Sequence, residues 1–304
     1  MPDTPFFSVI IPTYNRKKFT SEAIQSVLDQ SYDDYEIIVV DDGSMDDTSS
    51  LFEDIDQRVR YIKQDNAGVS VARNIGVTNS IGEYVCYLDS DDLWHRDKLS
   101  YMHDFIHRYP QLDVFFHDFR KHNVELPDPY ELSNTDMFAY LLTVFKQDVD
   151  LYWMSHGYDA FYLAMKGYPF YPSVITLKRA VHDQYRWDPG VLKSEDFNLI
   201  LKLTLRYKFG YLNKDLATVR VHDNNKSADT LTKDRIVLQT MQLVANLYCP
   251  SAVRKAAKKI IASKFYHTGR SQLKSGNYTQ GLLWVFTALT NYNFYYSKLE
   301  KIFK

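Results

Sequence analysis

The sequence predicts an α/β fold in which a mainly parallel sheet lies between helices and is followed by a helical C-terminal appendage. Apolar runs of strand length recur through the first third of the chain, and segments with helical spacing of apolar residues separate them. The final part of the chain has helical spacing throughout. Continuous apolar strands that alternate with helices are typical of a parallel sheet covered on both faces.

The elements of the first third follow in a regular order. A first strand over residues 7–11 is expected to end at Pro12, and a helix carrying Ala23 and Val27 follows, with Thr20 or Ser21 as its cap. A second helix is predicted over residues 69–79, opened by Gly68. The remaining strands of this third are predicted at residues 36–40, 59–62 and 84–88.

The rest of the chain is less regular before it becomes helical. Residues 120–170 are expected to be loop-rich and aromatic. Strands are predicted at 112–116 and 216–221, and a helix at 194–207. Gly276 and Asn277 are expected to form the turn of a C-terminal helical hairpin.

Charge is distributed unevenly along the 304 residues, whose net charge is −2. Residues 235–304 contain eleven Lys and Arg but a single acid, Glu300, so this segment carries +10 and residues 1–234 carry −12. Such asymmetry indicates a basic docking surface. The aromatic residues of this segment favour a membrane interface, so we expect either peripheral membrane contact or packing within the chain or across a dimer.

Composition excludes several protein classes. The two cysteines, Cys86 and Cys249, do not form a disulfide framework or a metal-ligand pattern, which fits a reducing compartment. No signal peptide or membrane-spanning run is recognisable. We expect a cytoplasmic protein, peripheral at the inner membrane face if the basic segment binds lipid, and no nucleic-acid partner.

The most informative motif is the acid cluster Asp89-Ser90-Asp91-Asp92, which follows an apolar strand. Three acids within four residues repel one another, and a hard divalent cation with oxygen ligands relieves that repulsion. A ligand site is expected there because parallel sheets bind ligands beyond the carboxyl ends of their strands. The sequence therefore predicts a Mn²⁺ or Mg²⁺ site.

Four other features have a structural as well as a functional interpretation. Asp41 follows a strand and can bind a nucleobase or ribose, or it can belong to a simple turn. Arg73 suits a diphosphate but equally suits a helix surface. Glu195 and Asp196 begin a helix, where the dipole favours acids, and can also supply a general base. His222 is either structural or a metal or phosphate partner.

Together these segments resemble family 2 glycosyltransferases of the GT-A fold. The resemblance rests on SVIIPTYNR at residues 8–16, VVDDGS at 39–44, NAGVSVARNIG at 66–76 and LDSDD at 88–92, with SED at 194–196 and RVH at 220–222. It implies a catalytic domain over 1–230, divided into a nucleotide-sugar-binding half, 1–100, and an acceptor-binding half, 101–230. The basic, aromatic-rich helical hairpin at 231–304 lies outside it.

The resemblance also implies roles for individual residues. Asp196 would be the catalytic base, Asp91 the principal metal ligand, and His222 a second metal or diphosphate contact. It leaves open whether Asp89 or Asp92 assists Asp91, and Glu195 is a further candidate acid. The residues implied to bind the donor are Pro12, Thr13, Tyr14, Asp41, Arg73 and Asp89.

The implied activity is inverting transfer of a sugar from a nucleotide-diphosphate donor, with UDP-sugars favoured. The acceptor would be a hydroxyl of a glycan or lipid-linked molecule, in cell-surface polysaccharide synthesis. Two other classes remain: a metal-dependent nucleotidyltransferase and a non-catalytic nucleotide- or sugar-binding protein. The first usually has a Gly-rich, Lys-containing loop after its first strand, where this chain has residues 12–16 without Gly. The second would not need Asp196.

Overall fold

The computed structural model divides the chain into two compact units, within residues 1–225 and 226–304. Each unit is described by itself. The structure describes residues 4–123, 130–131, 136–149, 152–155, 159–166, 169–191, 194–221 and 251–291.

The larger unit is built on one sheet. The strands are β1 Phe7–Thr13, β2 Tyr35–Asp41, β3 Val59–Lys63, β4 Tyr84–Tyr87, β5 Leu93–Trp94, β6 Val114–Asn123, β7 Tyr130–Glu131, β8 Phe145–Val149, β9 Tyr152–Ser155, β10 Ile175–Lys178 and β11 Phe209–Val221. Their order in the sheet is β3-β2-β1-β4-β10-β6-β11-β9-β8, with β5 paired to β11 and β7 to β6.

The predicted parallel arrangement is confirmed for the four strands of the first third. Strands β3, β2, β1 and β4 pair in parallel. Beyond β4 the sheet is mixed, because β10 runs antiparallel to both β4 and β6. Strand β10 is therefore the junction between the parallel part of the sheet and the remaining strands.

Helices accompany the sheet throughout the larger unit. They are α1 Lys17–Leu28, α2 Val69–Asn79, α3 Lys98–Arg108, α4 Asp136–Val144, α5 Asp159–Lys166, α6 Val181–Gln184 and α7 Glu195–Leu203. Helix α2 packs closely on β1: a Cβ built at Gly76 would lie 2.4 Å from the Ile10 side chain. This close contact sets the distance between the sheet and α2, which carries Arg73.

Two expectations about the first elements are wrong. Helix α1 begins at Lys17, so neither Thr20 nor Ser21 caps it; the Thr20 hydroxyl instead donates to the carbonyl of Arg16, at 2.9 Å. Strand β1 continues through Pro12 to Thr13. Pro12 is tolerated because its nitrogen, which has no hydrogen to donate, faces β4, and the pairing of β1 with β4 has already ended at Ile10.

The acceptor-side elements also differ from expectation. Residues 120–170 are not mainly loop where the structure describes them, since they include α4, β8, β9 and α5. Helix α7 ends at Leu203 rather than at 207, and β11 begins at Phe209 rather than at 216. The strands among these elements are stabilised by pairing with distant strands, such as β11 with β6, which local spacing does not reveal.

The smaller unit contains α8 Ser251–Lys274 and α9 Tyr278–Asn291. The predicted hairpin and its turn are confirmed, with Gly276 at φ 85° between the helices. The helices approach closely, because a Cβ on Gly269 would lie 2.9 Å from the carbonyl oxygen of Gly281. Among the described helices, none combines the length and apolar character needed to cross a membrane.

Candidate active site

Polar side chains gather where three parallel strands end. Thr13 ends β1, Asp41 ends β2, and the segment Asp89–Asp92, here called the acid segment, follows β4. Because β1 pairs in parallel with both β2 and β4, these three ends lie at one edge of the sheet. The sheet edge thus brings together Thr13, Asp41 and the acid segment.

Asp41 is fully buried at this edge. Its carboxylate accepts hydrogen bonds from the backbone N–H of Ser44, at 2.7 Å, and the hydroxyl of Tyr61, at 2.6 Å. Burial, together with the hydrogen bond to Asp41, raises the pKa of Tyr61. An ionised carboxylate has about four acceptor positions, so these two bonds leave capacity for a ligand N–H.

Asp42 has a bracing role. Its carboxylate accepts from the backbone N–H groups of Ala67, at 2.7 Å, and Gly68, at 2.9 Å. It also accepts from the side chain of Gln64. These contacts fix the start of α2 against the end of β2.

The three residues at the end of β1 that the resemblance implies in donor binding differ in exposure. Pro12 and Thr13 are buried, and the Thr13 hydroxyl is 2.6 Å from that of Thr20. Tyr14 is 37% exposed. Asn15, which the sequence analysis gave no role, has φ 52° and accepts from the Met45 N–H, so it ties the end of β1 to the segment after β2.

The three carboxylates of the acid segment have different partners. Asp89 accepts from Arg73 at 2.6 Å, and Asp91 pairs with Arg16. Asp92 accepts from the Ser173 hydroxyl and from the backbone N–H of Arg220. Burial raises the pKa of Asp89, against the opposing charge of Arg73. Burial also raises the pKa of Asp92 well above its usual range, and the charges of Asp91 and Asp89 add to this.

Arg73 connects the acid segment to the start of α7. One guanidinium nitrogen lies 2.6 Å from Asp89 and the other 2.9 Å from Glu195, and the group stacks over the Trp187 ring. The side chain is only 2% exposed. Arg73 is therefore a buried bridge between two carboxylates and not the surface residue that the helix pattern also allowed.

Glu195 and Asp196 begin α7 beside this bridge. The preceding residue, Ser194, has φ 56°, a strained conformation for a residue with a side chain. Burial, followed by the charge of Glu195, raises the pKa of Asp196 to about 7. A carboxylate with this pKa can accept a proton near neutral pH.

The donor set at the acid segment suits a hard cation. Within the described residues, no group of three or more His, Cys, Asp or Glu side chains is arranged to hold a metal. Mg²⁺ is, however, often bound by one or two carboxylates and completed by substrate phosphates. Asp89 and Asp91, 29% and 15% exposed, fit that arrangement better than the buried Asp92. His222 lies outside the described residues.

A comparison with known protein families identifies the chain. Residues 8–167 match the family described as Glycosyl transferase family 2, and this match covers more than half of the sequence. The chain belongs to glycosyl transferase family 2. Its sheet has the GT-A fold of nucleotide-sugar glycosyltransferases, as the solved structures described below also indicate.

Curated relatives of this family 2 chain match it in part. An uncharacterized glycosyltransferase of Rickettsia felis is 50% identical over 94 residues, which is 30% of this chain and 16% of that protein. GlyA of Streptococcus pneumoniae is 29% identical over 234 residues, covering 72% of this chain and 31% of GlyA. TuaG of Bacillus subtilis, whose name assigns it to teichuronic acid biosynthesis, is 42% identical over 106 residues, covering 34% and 42%. The chain thus spans less than half the length of these relatives.

Two solved structures share the fold. S. aureus TarS in complex with UDP-GlcNAc has a TM-score of 0.65 at 20% identity, covering 86% of this chain and 71% of TarS. The mannosyltransferase PcManGT from Pyrobaculum calidifontis, in complex with GDP-Man and Mn²⁺, has a TM-score of 0.56 at 17% identity, covering 96% and 82%.

Several residues at the family 2 site had no assigned role in the sequence analysis. Arg16 and Arg220 belong to the quoted motifs SVIIPTYNR and RVH. The Arg16 side chain pairs with the Asp91 carboxylate, and the Arg220 side chain donates to the backbone carbonyl of Asp91. Ser173 and the fully buried Lys98 carry no motif signal. Burial lowers the pKa of Lys98 to about 7. Only the fold could have revealed these last two residues.

Proposed function

We propose that this chain is a metal-dependent, inverting glycosyltransferase that uses a nucleotide-diphosphate sugar. The bridge formed by Arg73 carries the proposal, because it holds Asp89 of the acid segment and Glu195 of the acceptor side with one guanidinium. Asp196 is thereby held beside the donor-side acids. Two acid groups with different environments suit two different tasks in one reaction.

In this proposal Asp91 and Asp89 would hold the cation at the donor diphosphate. A bound Mn²⁺ or Mg²⁺ would neutralise charge on the departing nucleoside diphosphate. Asp196 accepts the proton of the acceptor hydroxyl. The acceptor oxygen bonds to the anomeric carbon as the bond from that carbon to the diphosphate oxygen breaks, so a single displacement inverts the configuration.

Asp41 supports a uracil-containing donor. Its buried carboxylate can accept the N3–H of uracil, and Thr13 and Tyr14 lie at the neighbouring strand end. The TarS structure named above contains UDP-GlcNAc, and the PcManGT structure contains GDP-Man. We therefore propose a UDP-sugar donor, with a GDP-sugar as the alternative outcome.

The acceptor class is proposed from the relatives. TuaG bears a name from teichuronic acid biosynthesis. We propose that the acceptor is a hydroxyl of a glycan or lipid-linked molecule and that the product enters a cell-surface polysaccharide.

The experiment that tests the activity is release of nucleoside diphosphate from a panel of nucleotide-sugars with Mn²⁺, with and without glycan acceptors. Release from a UDP-sugar that increases with acceptor supports the proposal. Release of pyrophosphate from a nucleoside triphosphate and a sugar phosphate would identify a nucleotidyltransferase. Binding of UDP without any turnover across the panel would identify a binding protein.

We also propose that the smaller unit binds an anionic lipid surface peripherally. Helix α9 exposes Tyr278, Leu282, Leu283 and Phe286, which are 57–67% exposed. The exposed bases of α8 include Lys255 and Lys258. The smaller unit therefore has both exposed apolar side chains and exposed bases, which is the chemistry that binds anionic lipid, at about 1 kcal/mol per base near the surface.

Co-sedimentation with liposomes tests this surface. Binding should require anionic lipid, fall at high salt, and weaken when Lys255 and Lys258 are changed to Gln. The control is Lys208→Gln, an exposed base of the larger unit. Absence of binding, or binding that neither salt nor these changes reduce, would overturn the lipid proposal. Concentration-dependent dimers in ultracentrifugation would assign the surface to a second copy.

A further inference from the structure

Ser173 lies at the centre of a buried hydrogen-bond network beneath the acid segment. It belongs to a short 3₁₀ turn, Pro172–Val174, immediately before β10, and it is fully buried. Its hydroxyl accepts from the backbone N–H of Asp89, at 3.1 Å, and donates to the carboxylate of Asp92. A single hydroxyl therefore contacts both ends of the acid segment.

The backbone carbonyl of Ser173 is held by two further side chains. Its carbonyl accepts from the Trp94 indole N–H and from the Lys98 ammonium, both at 2.9 Å. Lys98 is fully buried, and its nitrogen lies 3.5 Å from the centre of the Trp94 ring. Burying a lysine is costly unless it is paired, and the hydrogen bond to the Ser173 carbonyl offsets part of that cost while it holds the carbonyl in place.

Asp92 turns inward within this network. One oxygen accepts from Ser173 and the other from the backbone N–H of Arg220, at 3.0 Å, and the residue is 4% exposed. Asp91 and Asp89 keep more exposure. Asp92 therefore joins the acid segment to the turn before β10 and to β11.

We propose that Ser173 is a positioning residue, held by Lys98 and Trp94, that aims Asp89 and Asp91 at the donor diphosphate through Asp92 and the Asp89 backbone. Asp92 is then a structural acid and not the second metal ligand. The proposal rests on the proposed metal-dependent function. In this proposal Asp89 and Asp91 are aligned by the turn Pro172–Val174, which lies in the part of the sequence predicted to bind the acceptor. No motif of the chain indicates this role.

The first test compares Ser173→Ala with Thr176→Val. Thr176 is also fully buried, three residues further along the same segment, and its hydroxyl contacts Cys86 at 3.3 Å but no acid. The measurement is calorimetric binding of UDP at a series of Mn²⁺ concentrations, on folded protein. We expect Ser173→Ala to raise the Mn²⁺ concentration for half-maximal UDP binding roughly tenfold, the loss of one hydrogen bond to a charged group, and Thr176→Val to leave it unchanged.

The second test compares the two acids. Asp92→Asn keeps an acceptor oxygen for the Arg220 N–H and should weaken Mn²⁺-dependent UDP binding less than about tenfold. Asp91→Asn removes a proposed ligand and should weaken it about a hundredfold or more. Equal losses in the two variants would overturn the assignment of Asp92 as a structural acid.

Hydrogen exchange gives a readout that needs neither donor nor metal. In Ser173→Ala the peptide containing residues 89–94 should exchange roughly tenfold faster, because the Asp89 N–H loses its acceptor, whereas Thr176→Val should match wild type. Unchanged exchange in Ser173→Ala overturns the positioning role whatever the enzyme does. Faster exchange in a protein that does not bind UDP and Mn²⁺ would instead reject the proposed function and retain the network.

Discussion

The two acid groups of the site differ in how they are held. The acid segment is fixed by Arg73, Arg16, Ser173 and the Arg220 backbone, so contacts reach it from several elements. The acceptor-side pair sits at the first turn of α7, behind the strained Ser194, and Glu195 is joined to the donor side by Arg73. The comparison shows that the proposed metal-binding group is held by contacts from several elements, whereas the proposed base is distinguished by burial and by the neighbouring charge of Glu195.

The largest effect should come from the acceptor side. Asp196→Asn should reduce turnover about a thousandfold, because general-base catalysis contributes roughly 10²–10⁴-fold. Donor affinity should stay close to wild type, since only proton transfer is removed. Turnover and calorimetric donor binding measured together test this. A parallel loss of both would make Asp196 a structural residue or a donor ligand.

On the donor side, Asp91→Asn should reduce turnover about a hundredfold or more, because the cation loses a charged ligand. Wild type in excess chelator should show a similar loss that Mn²⁺ restores. Circular dichroism of the variant provides the folding control. Full activity of either sample would remove the metal role and, with it, the contrast between the two acid groups.

The acceptor side should also determine the pH dependence. With the Asp196 pKa raised to about 7, the base is protonated at lower pH, so turnover should fall about tenfold for each unit below pH 7. The same raised pKa means that the folded state binds the proton more tightly than the unfolded state, and its stabilising effect is lost as pH rises through 7. A turnover profile that is flat between pH 5 and pH 8 would contradict the proposed base.

The smallest effect concerns the nucleobase. With Mn²⁺ present, UDP should protect the protein against thermal unfolding by a few degrees more than ADP, a difference of about 1 kcal/mol. Asp41 can accept the N3–H of uracil, whereas adenine has no matching imide N–H. Equal shifts for the two nucleotides in a fluorescence melt would count against Asp41 as the base contact, while a larger shift with GDP would favour a guanine donor.

The sequence predicted the donor side much more closely than the acceptor side. Helix α2 has the expected bounds, Val69–Asn79, because Gly68 and the apolar spacing are local signals. Strand β11 starts at Phe209, seven residues before its predicted position. Its first residues are held as a strand by pairing with β6, which the local sequence does not reveal. Ser173 could not be recognised, since its partners are Asp89, Asp92, Trp94 and Lys98, all at least 75 residues away.

Pro12 determines where the hydrogen bonding between β1 and β4 ends. The last ladder bond there runs from the Leu88 N–H to the carbonyl of Ile10. The next would need an N–H from residue 12, which proline does not have. The pairing of the two strands therefore ends at this point, and the next N–H of the chain, that of Asp89, points to the other side of β4 and donates to the Ser173 hydroxyl. The proline at position 12 thus limits the ladder between two central strands, and the acid segment begins at the residue that follows its last hydrogen bond.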